Sequence, residues 1–120
     1  MNVLVDSSIW IEHIKKPCEP LVFLLNNSRV LTHSWIVGEI ALGTFKGREA
    51  FLRNLNLLPK AIEVSNDELL SFIEVFSLRG MGVGLVDVQI LASAKLSEVA
   101  ILTRDKALKT AMAKLKIPTA

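Results

Sequence analysis

Apolar residues fall along this chain in two rhythms. Four short runs, Asn2-Val3-Leu4-Val5, Val30-Leu31-Thr32, Ala61-Ile62-Glu63-Val64 and Ala100-Ile101-Leu102-Thr103, lack the strict alternation of half-exposed strands. They read as strands buried on both faces. Between them lie stretches with helical periodicity or helix stop signals. The predicted helices cover Ile9 to His13, Leu21 to Leu25, Trp35 to Thr44, Arg48 to Leu55, Asp67 to Leu78, Val86 to Leu96, and the segment after Asp105 as far as Leu115. In the fifth of these, Leu69, Leu70, Phe72, Ile73, Val75 and Phe76 recur at the spacing of one helix face. Ser34, Ser65 or Asn66, and Asp105 are the expected N-caps, Pro59 interrupts the chain, and Ile117 is expected to begin a short fifth strand. Strands alternating with helices predict an α/β fold, a three-layer domain with a four- or five-stranded parallel sheet flanked by helices. With no linker or repeat, residues 1–120 are expected to form a single domain.

In such sheets ligands bind beyond the carboxyl ends of the strands, so the residues that follow strands carry the interest. The chain has four aspartates, and two of them, Asp6 and Asp105, stand just after the first and fourth predicted strands. Capping alone would account for either. Asp87 shares a helical stripe with Val83, Ile90, Leu91 and Ala94, which points it inward. Glu39 is harder to explain as structure, because its neighbours three and four residues away are Trp35, Ile36, Leu42 and Gly43. None is a counter-ion, and an unpaired buried carboxylate costs several kcal/mol or takes up a proton. Either a distant Lys or Arg compensates it, or a cation does. Three or four acids aimed at one sheet edge make an oxygen-only ligand set of the kind Mg²⁺ or Mn²⁺ prefers.

Composition narrows the classes. Half the chain is hydrophobic (51%) and its mean hydropathy is +0.43, so some apolar surface is expected to be covered by a second copy or a partner. No run is long enough to span a bilayer and no signal peptide is visible, which predicts a cytoplasmic protein without membrane attachment. Cys18 is the only cysteine, so disulfides, structural zinc and thiol redox chemistry are not expected. His13 and His33 read as surface or helix-end residues, and the Arg79-Gly80-Met81-Gly82-Val83-Gly84 stretch as a flexible connection lacking phosphate-loop features.

Four segments together carry a resemblance: Val5-Asp6-Ser7-Ser8-Ile9-Trp10-Ile11-Glu12; Gly38-Glu39-Ile40 with Gly43; Leu85-Val86-Asp87-Val88-Gln89-Ile90-Leu91-Ala92-Ser93-Ala94; and Leu102-Thr103-Arg104-Asp105. In order and spacing they resemble the PIN domain, and within it the compact VapC-type toxin ribonucleases of toxin–antitoxin pairs. The resemblance implies that Asp6, Glu39, Asp87 and Asp105 form an acidic quartet around Mg²⁺ or Mn²⁺, with Ser8 and Thr103 as supporting hydroxyls. It also implies a homodimer and a cognate antitoxin protein that covers the site.

The reaction expected from that resemblance is metal-dependent hydrolysis of RNA phosphodiester bonds by an endoribonuclease. Setting the four site acids aside leaves eight acids against fourteen Lys and Arg, enough basic surface to recruit RNA phosphates. Lys15, Lys46, Arg48, Arg104 and Lys106 lie nearest the motifs. Two other readings stand beside it: a catalytically silent PIN-like module that binds RNA or protein, and a phosphoryl-transfer enzyme acting on small phosphorylated substrates.

Overall fold

A computed structural model describes residues 1–120. Three strands, β1 (Val3–Val5), β2 (Val30–Leu31) and β3 (Ala100–Leu102), form a parallel sheet in the order β2-β1-β3. Val3 pairs with Val30 on one side and Ala100 on the other, and every residue of the three strands is buried, which explains their unbroken apolar sequence. Seven helices flank the sheet: α1 (Ser7–Lys15), α2 (Glu19–Asn26), α3 (Ser34–Ala41), α4 (Arg48–Asn56), α5 (Asn66–Val75), α6 (Leu85–Ser97) and α7 (Lys106–Leu115). Helix α3 packs on α1, α4 and α6, while α6 also packs on α5 and α7. No helix is long and apolar enough to cross a membrane.

The sheet is smaller than the apolar pattern predicts. The expected strand at Ala61–Val64 does not form; only Thr32 and Lys60 make an isolated parallel bridge. The reason lies in β2, which stops at Leu31 because α3 begins at Ser34 and leaves no further ladder to pair with. Ala61 N–H still donates to the Thr32 carbonyl at 2.8 Å, but the main chain beyond it finds its partners elsewhere. Val64 N–H donates to Gln89 Oε1 at 2.7 Å, Gln89 Nε2 donates back to the Val64 carbonyl at 3.2 Å, and the Ser93 hydroxyl donates to the Ile62 carbonyl. Helix α6 is buried at every position from Val88 to Ala94, so Gln89 and Ser93 need those backbone groups as much as the segment needs them. The expected fifth strand at Ile117 is likewise one bridge, Ile101 to Thr119, beside Pro118, which has no N–H to extend a ladder.

Most helix boundaries follow the sequence signals. Ser65 closes a capping box with Glu68, and Asp105 caps α7 by accepting from Leu108 N–H at 3.0 Å. Helix α3 differs: Ser34 is its first residue, and the cap is the imidazole of His33, whose Nδ1 accepts from Trp35 N–H at 2.9 Å. His33 is therefore a helix-end residue but not a surface one, being 0% exposed.

Candidate active site

Asp6 leaves the carboxyl end of β1 and occupies the N-cap position of α1, yet its side chain makes no capping bond. Instead its Oδ2 accepts from the Ser8 hydroxyl at 2.8 Å and the Thr103 hydroxyl at 2.7 Å. Those two hydroxyls lie 3.3 Å apart, and each also ties down the loop after β3: Arg104 N–H donates to Ser8 Oγ and Asp105 N–H to Thr103 Oγ1. Asp6 is almost fully buried, and Thr103 with it. The capping explanation fails for Asp6, while for Asp105 it holds for one oxygen, Oδ1.

Asp87 lies in the first turn of α6, where its Oδ2 accepts from Gly84 N–H at 3.1 Å. This gives the glycine stretch before α6 a purpose that the sequence reading did not assign. Gly80 and Gly82 take left-handed φ angles of 75° and 77°, and the loop ends by presenting Gly84 N–H to Asp87. Asp87 stands three residues after Gly84, the position from which a first-turn carboxylate can reach back to the N-cap N–H. Ser7, one place before Ser8, is the other supporting group that sequence reasoning left without a role: its hydroxyl sits beside Glu39 and favours the ionised carboxylate.

Electrostatic influence runs between the acids in pairs. Burial holds the Glu39 carboxyl above the ordinary carboxylate range, and the charges of Asp6 and Asp87 push it the same way. Asp87 is raised first by burial and then by Asp6 and Asp105, against the pull of the Gly84 N–H. The structure has one ion pair, Arg104 to Glu12 at 3.3 Å, so no Lys or Arg compensates Glu39. No three carboxylate, imidazole or thiol groups close around a single point. An open set of carboxylate oxygens, two of them burdened by burial and mutual repulsion, fits a hard divalent cation that keeps part of its water shell.

The sign of the pKa shifts yields a stability prediction. An acid whose folded pKa lies above its unfolded value weakens the fold as pH rises from the ordinary Glu value of about 4.3 through the raised one. Glu39→Gln removes that penalty, so the metal-free protein at pH 7 is expected to melt about 2–5 °C higher. A lower melting temperature in a thermal scan would reveal an ion-pair partner for Glu39.

Around the acids, the basic side chains divide. Arg104 and Lys106 are exposed immediately after β3, and the Arg104 guanidinium lies along α1, half exposed (50%), against Glu12. Lys15 joins Ile11, Ile14, Glu39, Ile40 and Phe45 around a cleft of ≈ 260 Å³ that opens beside Glu39. Lys46 is exposed next to that cleft's Phe45. Arg48 is spent on structure, donating to the Gly43 and Ala41 carbonyls at the C-terminal end of α3. A larger hollow of ≈ 440 Å³, between α5 and α6, contains none of the four acids.

The family model for the PIN domain matches residues 3–113. The chain belongs to the PIN domain family. Among curated proteins, this PIN domain is 40% identical over 112 residues to Ribonuclease VapC32 of Mycobacterium tuberculosis, in two strains, an alignment covering 92% of this chain and 90% of the relative. Its fold is shared by the crystal structures of PAE2754 from Pyrobaculum aerophilum (TM-score 0.68, 16% identity, 98% of this chain and 87% of that one) and FitAcB from Neisseria gonorrhoeae (TM-score 0.63, 18% identity, 98% and 95%). At those identities the likeness concerns the fold alone. In this PIN domain Thr103 Oγ1 bonds both the Asp6 carboxylate and the Asp105 N–H, Glu39 is influenced by the charges of Asp6 and Asp87, and Asp87 by those of Asp6 and Asp105.

Proposed function

We propose that this PIN domain is a metal-dependent endoribonuclease that hydrolyses RNA phosphodiester bonds, the toxin of a VapBC-type toxin–antitoxin pair. The observation that carries the reading is the uncompensated acid cluster, in which Glu39 and Asp87 are raised by burial and by their acidic neighbours with no basic side chain paired to either. The 40% identity to a protein named Ribonuclease VapC32 supports the substrate class. In this reading residues 1–120 act as one cytoplasmic domain. It forms a homodimer, and a cognate antitoxin covers the site. Apolar side chains left in solvent, such as Leu42 at 88% exposure and Leu57 at 79%, favour such covering.

Asp6, Glu39, Asp87 and Asp105 would hold Mg²⁺ or Mn²⁺. An ion held there would supply Lewis-acid polarisation of the phosphodiester and a source of hydroxide at neutral pH. The protein's share is positioning. Ser8 and Thr103 occupy Asp6 Oδ2 and so orient Oδ1 outward, Gly84 N–H does the same for Asp87, and Ser7 steadies Glu39. Arg104 and Lys106, with Lys15 and Lys46 on the side of Glu39, recruit RNA phosphates toward a site that would otherwise repel them.

The reading is tested by incubating the purified chain, stripped of any partner, with single-stranded RNA and Mg²⁺ or Mn²⁺. Cleavage that EDTA stops is the expected result; RNA binding without cleavage in either metal would instead favour the silent module. Thr103→Val keeps the shape of the side chain but removes its hydrogen bonds to Asp6 and Asp105. It is expected to lower metal affinity or cleavage rate by about 10–100-fold, the usual cost of losing a supporting group. A metal titration showing no change would take Thr103 out of the site.

A further inference from the structure

His33 is a buried group that the chemistry above does not use. Its Nδ1 accepts from Trp35 N–H and so carries the lone pair, which leaves the proton on Nε2. Nε2 is buried with no hydrogen-bond partner. Its neighbours are the Gln89 side chain and the Ile62 main chain, whose oxygens also accept from Val64 N–H and the Ser93 hydroxyl. One imidazole thus touches the start of the helix that carries Glu39, the irregular segment 59–64, and α6 two residues beyond Asp87.

We infer that neutral His33 is a positioning residue for Glu39: its lone pair fixes the first turn of α3, and taking up a proton at Nδ1 releases the helix that aims Glu39 at the other three acids. The inference rests on the reading of Glu39 as a member of the site. Protonation would set an N–H donor against the Trp35 N–H donor and put a cation at the positive end of the α3 dipole. Helix α3 is only eight residues long and has Gly38 in its interior, so its first turn depends on the cap while packing on α1, α4 and α6 holds the remainder.

The groups facing His33 do not rescue the charge. Gln89 of α6 favours the cation most, then the charge of Glu63 and the Ile62 main chain in the 59–64 segment, while α3 offers the Trp35 ring, edge-on at 6.4 Å. Burial outweighs them and holds the imidazole below its ordinary range. A base with a depressed folded pKa is protonated more readily in the unfolded chain. Its stability contribution is therefore whole above about pH 6.5 and is lost as pH falls below that toward the folded value.

The test compares metal-free wild type, His33→Asn and His33→Ala between pH 7.5 and 5.5. Asparagine caps a helix but does not titrate in this range. Wild type is expected to lose several degrees of melting temperature relative to His33→Asn as the pH falls. The amide-exchange protection factor of Trp35 should drop about tenfold or more in wild type only, and Mn²⁺ affinity should weaken in parallel. His33→Ala should show low protection and weak Mn²⁺ binding at every pH. Melting curves of wild type and His33→Asn that stay parallel across the range would overturn the inference. So would an NMR titration of wild-type His33 at an ordinary midpoint without change at the Trp35 amide, a measurement that needs no variant to fold. None of these readouts involves RNA, so a failure to cleave RNA undoes the proposed function alone, and parallel curves undo this inference alone.

Discussion

Asp87→Asn is expected to abolish RNA cleavage, lowering the single-turnover rate by about 1,000-fold or more, while the protein folds as before. The loss is large because the carboxylate would act by charge: an asparagine in its place keeps an oxygen but removes the negative charge that holds a divalent cation, and several kcal/mol of transition-state stabilisation go with it. The fold should survive for two reasons visible in the structure. An asparagine oxygen can still accept from Gly84 N–H, the one bond the protein makes to this side chain. The native carboxyl is also raised by burial and by Asp6 and Asp105, so neutralising it relieves strain in the metal-free state. The pair of measurements is decisive: gel-resolved cleavage within tenfold of wild type would remove Asp87 from the chemistry, and a collapse of the melting temperature would give it a structural role instead.

Gln89→Leu is expected to cost about 2–4 kcal/mol of stability, seen as a melting temperature lower by about 10 °C or more. Leucine has nearly the volume of glutamine and should suit a fully buried helix. It cannot, however, serve both the N–H and the carbonyl of Val64, which are paired with this one side chain. Two backbone groups would then be stranded in the core, each at about 1–3 kcal/mol. Urea unfolding of the two proteins measures the difference directly; a change under 1 kcal/mol would mean that segment 61–64 finds other partners. A loss of the expected size would confirm that side chains of α6 take the place of the missing sheet ladder.

These two residues mark the limits of sequence reading. Both stand in Val86-Asp87-Val88-Gln89-Ile90, and both are polar on a helix that the apolar pattern buries. For Asp87 the sequence suffices to raise the question, because its helical stripe with Val83, Ile90, Leu91 and Ala94 points a carboxylate inward. For Gln89 it offers no hint, since its partner is the backbone of Val64, 25 residues away. The same blindness produced the expected strand at Ala61–Val64. Local propensity favours a strand there, but a strand needs a neighbour with free N–H and carbonyl groups, and β2 has none left beyond Thr32. The cap of α3 was misplaced by one residue for a similar reason. Serine is the commoner capping type, and only the burial of His33 under segment 59–64 turns its imidazole toward Trp35 N–H.

By itself, the sequence determined the parallel α/β class, the three strands that form and the seven helices, and it singled out four acids as candidates, because these follow from short-range patterns: apolar runs, caps, and charges where structure alone gives little reason for them. The tertiary structure alone decided which polar groups meet. It separated Asp6, held by Ser8 and Thr103, from Asp105, whose Oδ1 caps a helix, and it assigned Arg48 to the end of α3. It reduced the sheet to three strands and packed the helix of Glu39 against that of Asp87. Hydrogen bonds act over about 3 Å of space, whatever the distance along the chain, and their partners are fixed only once the core has packed.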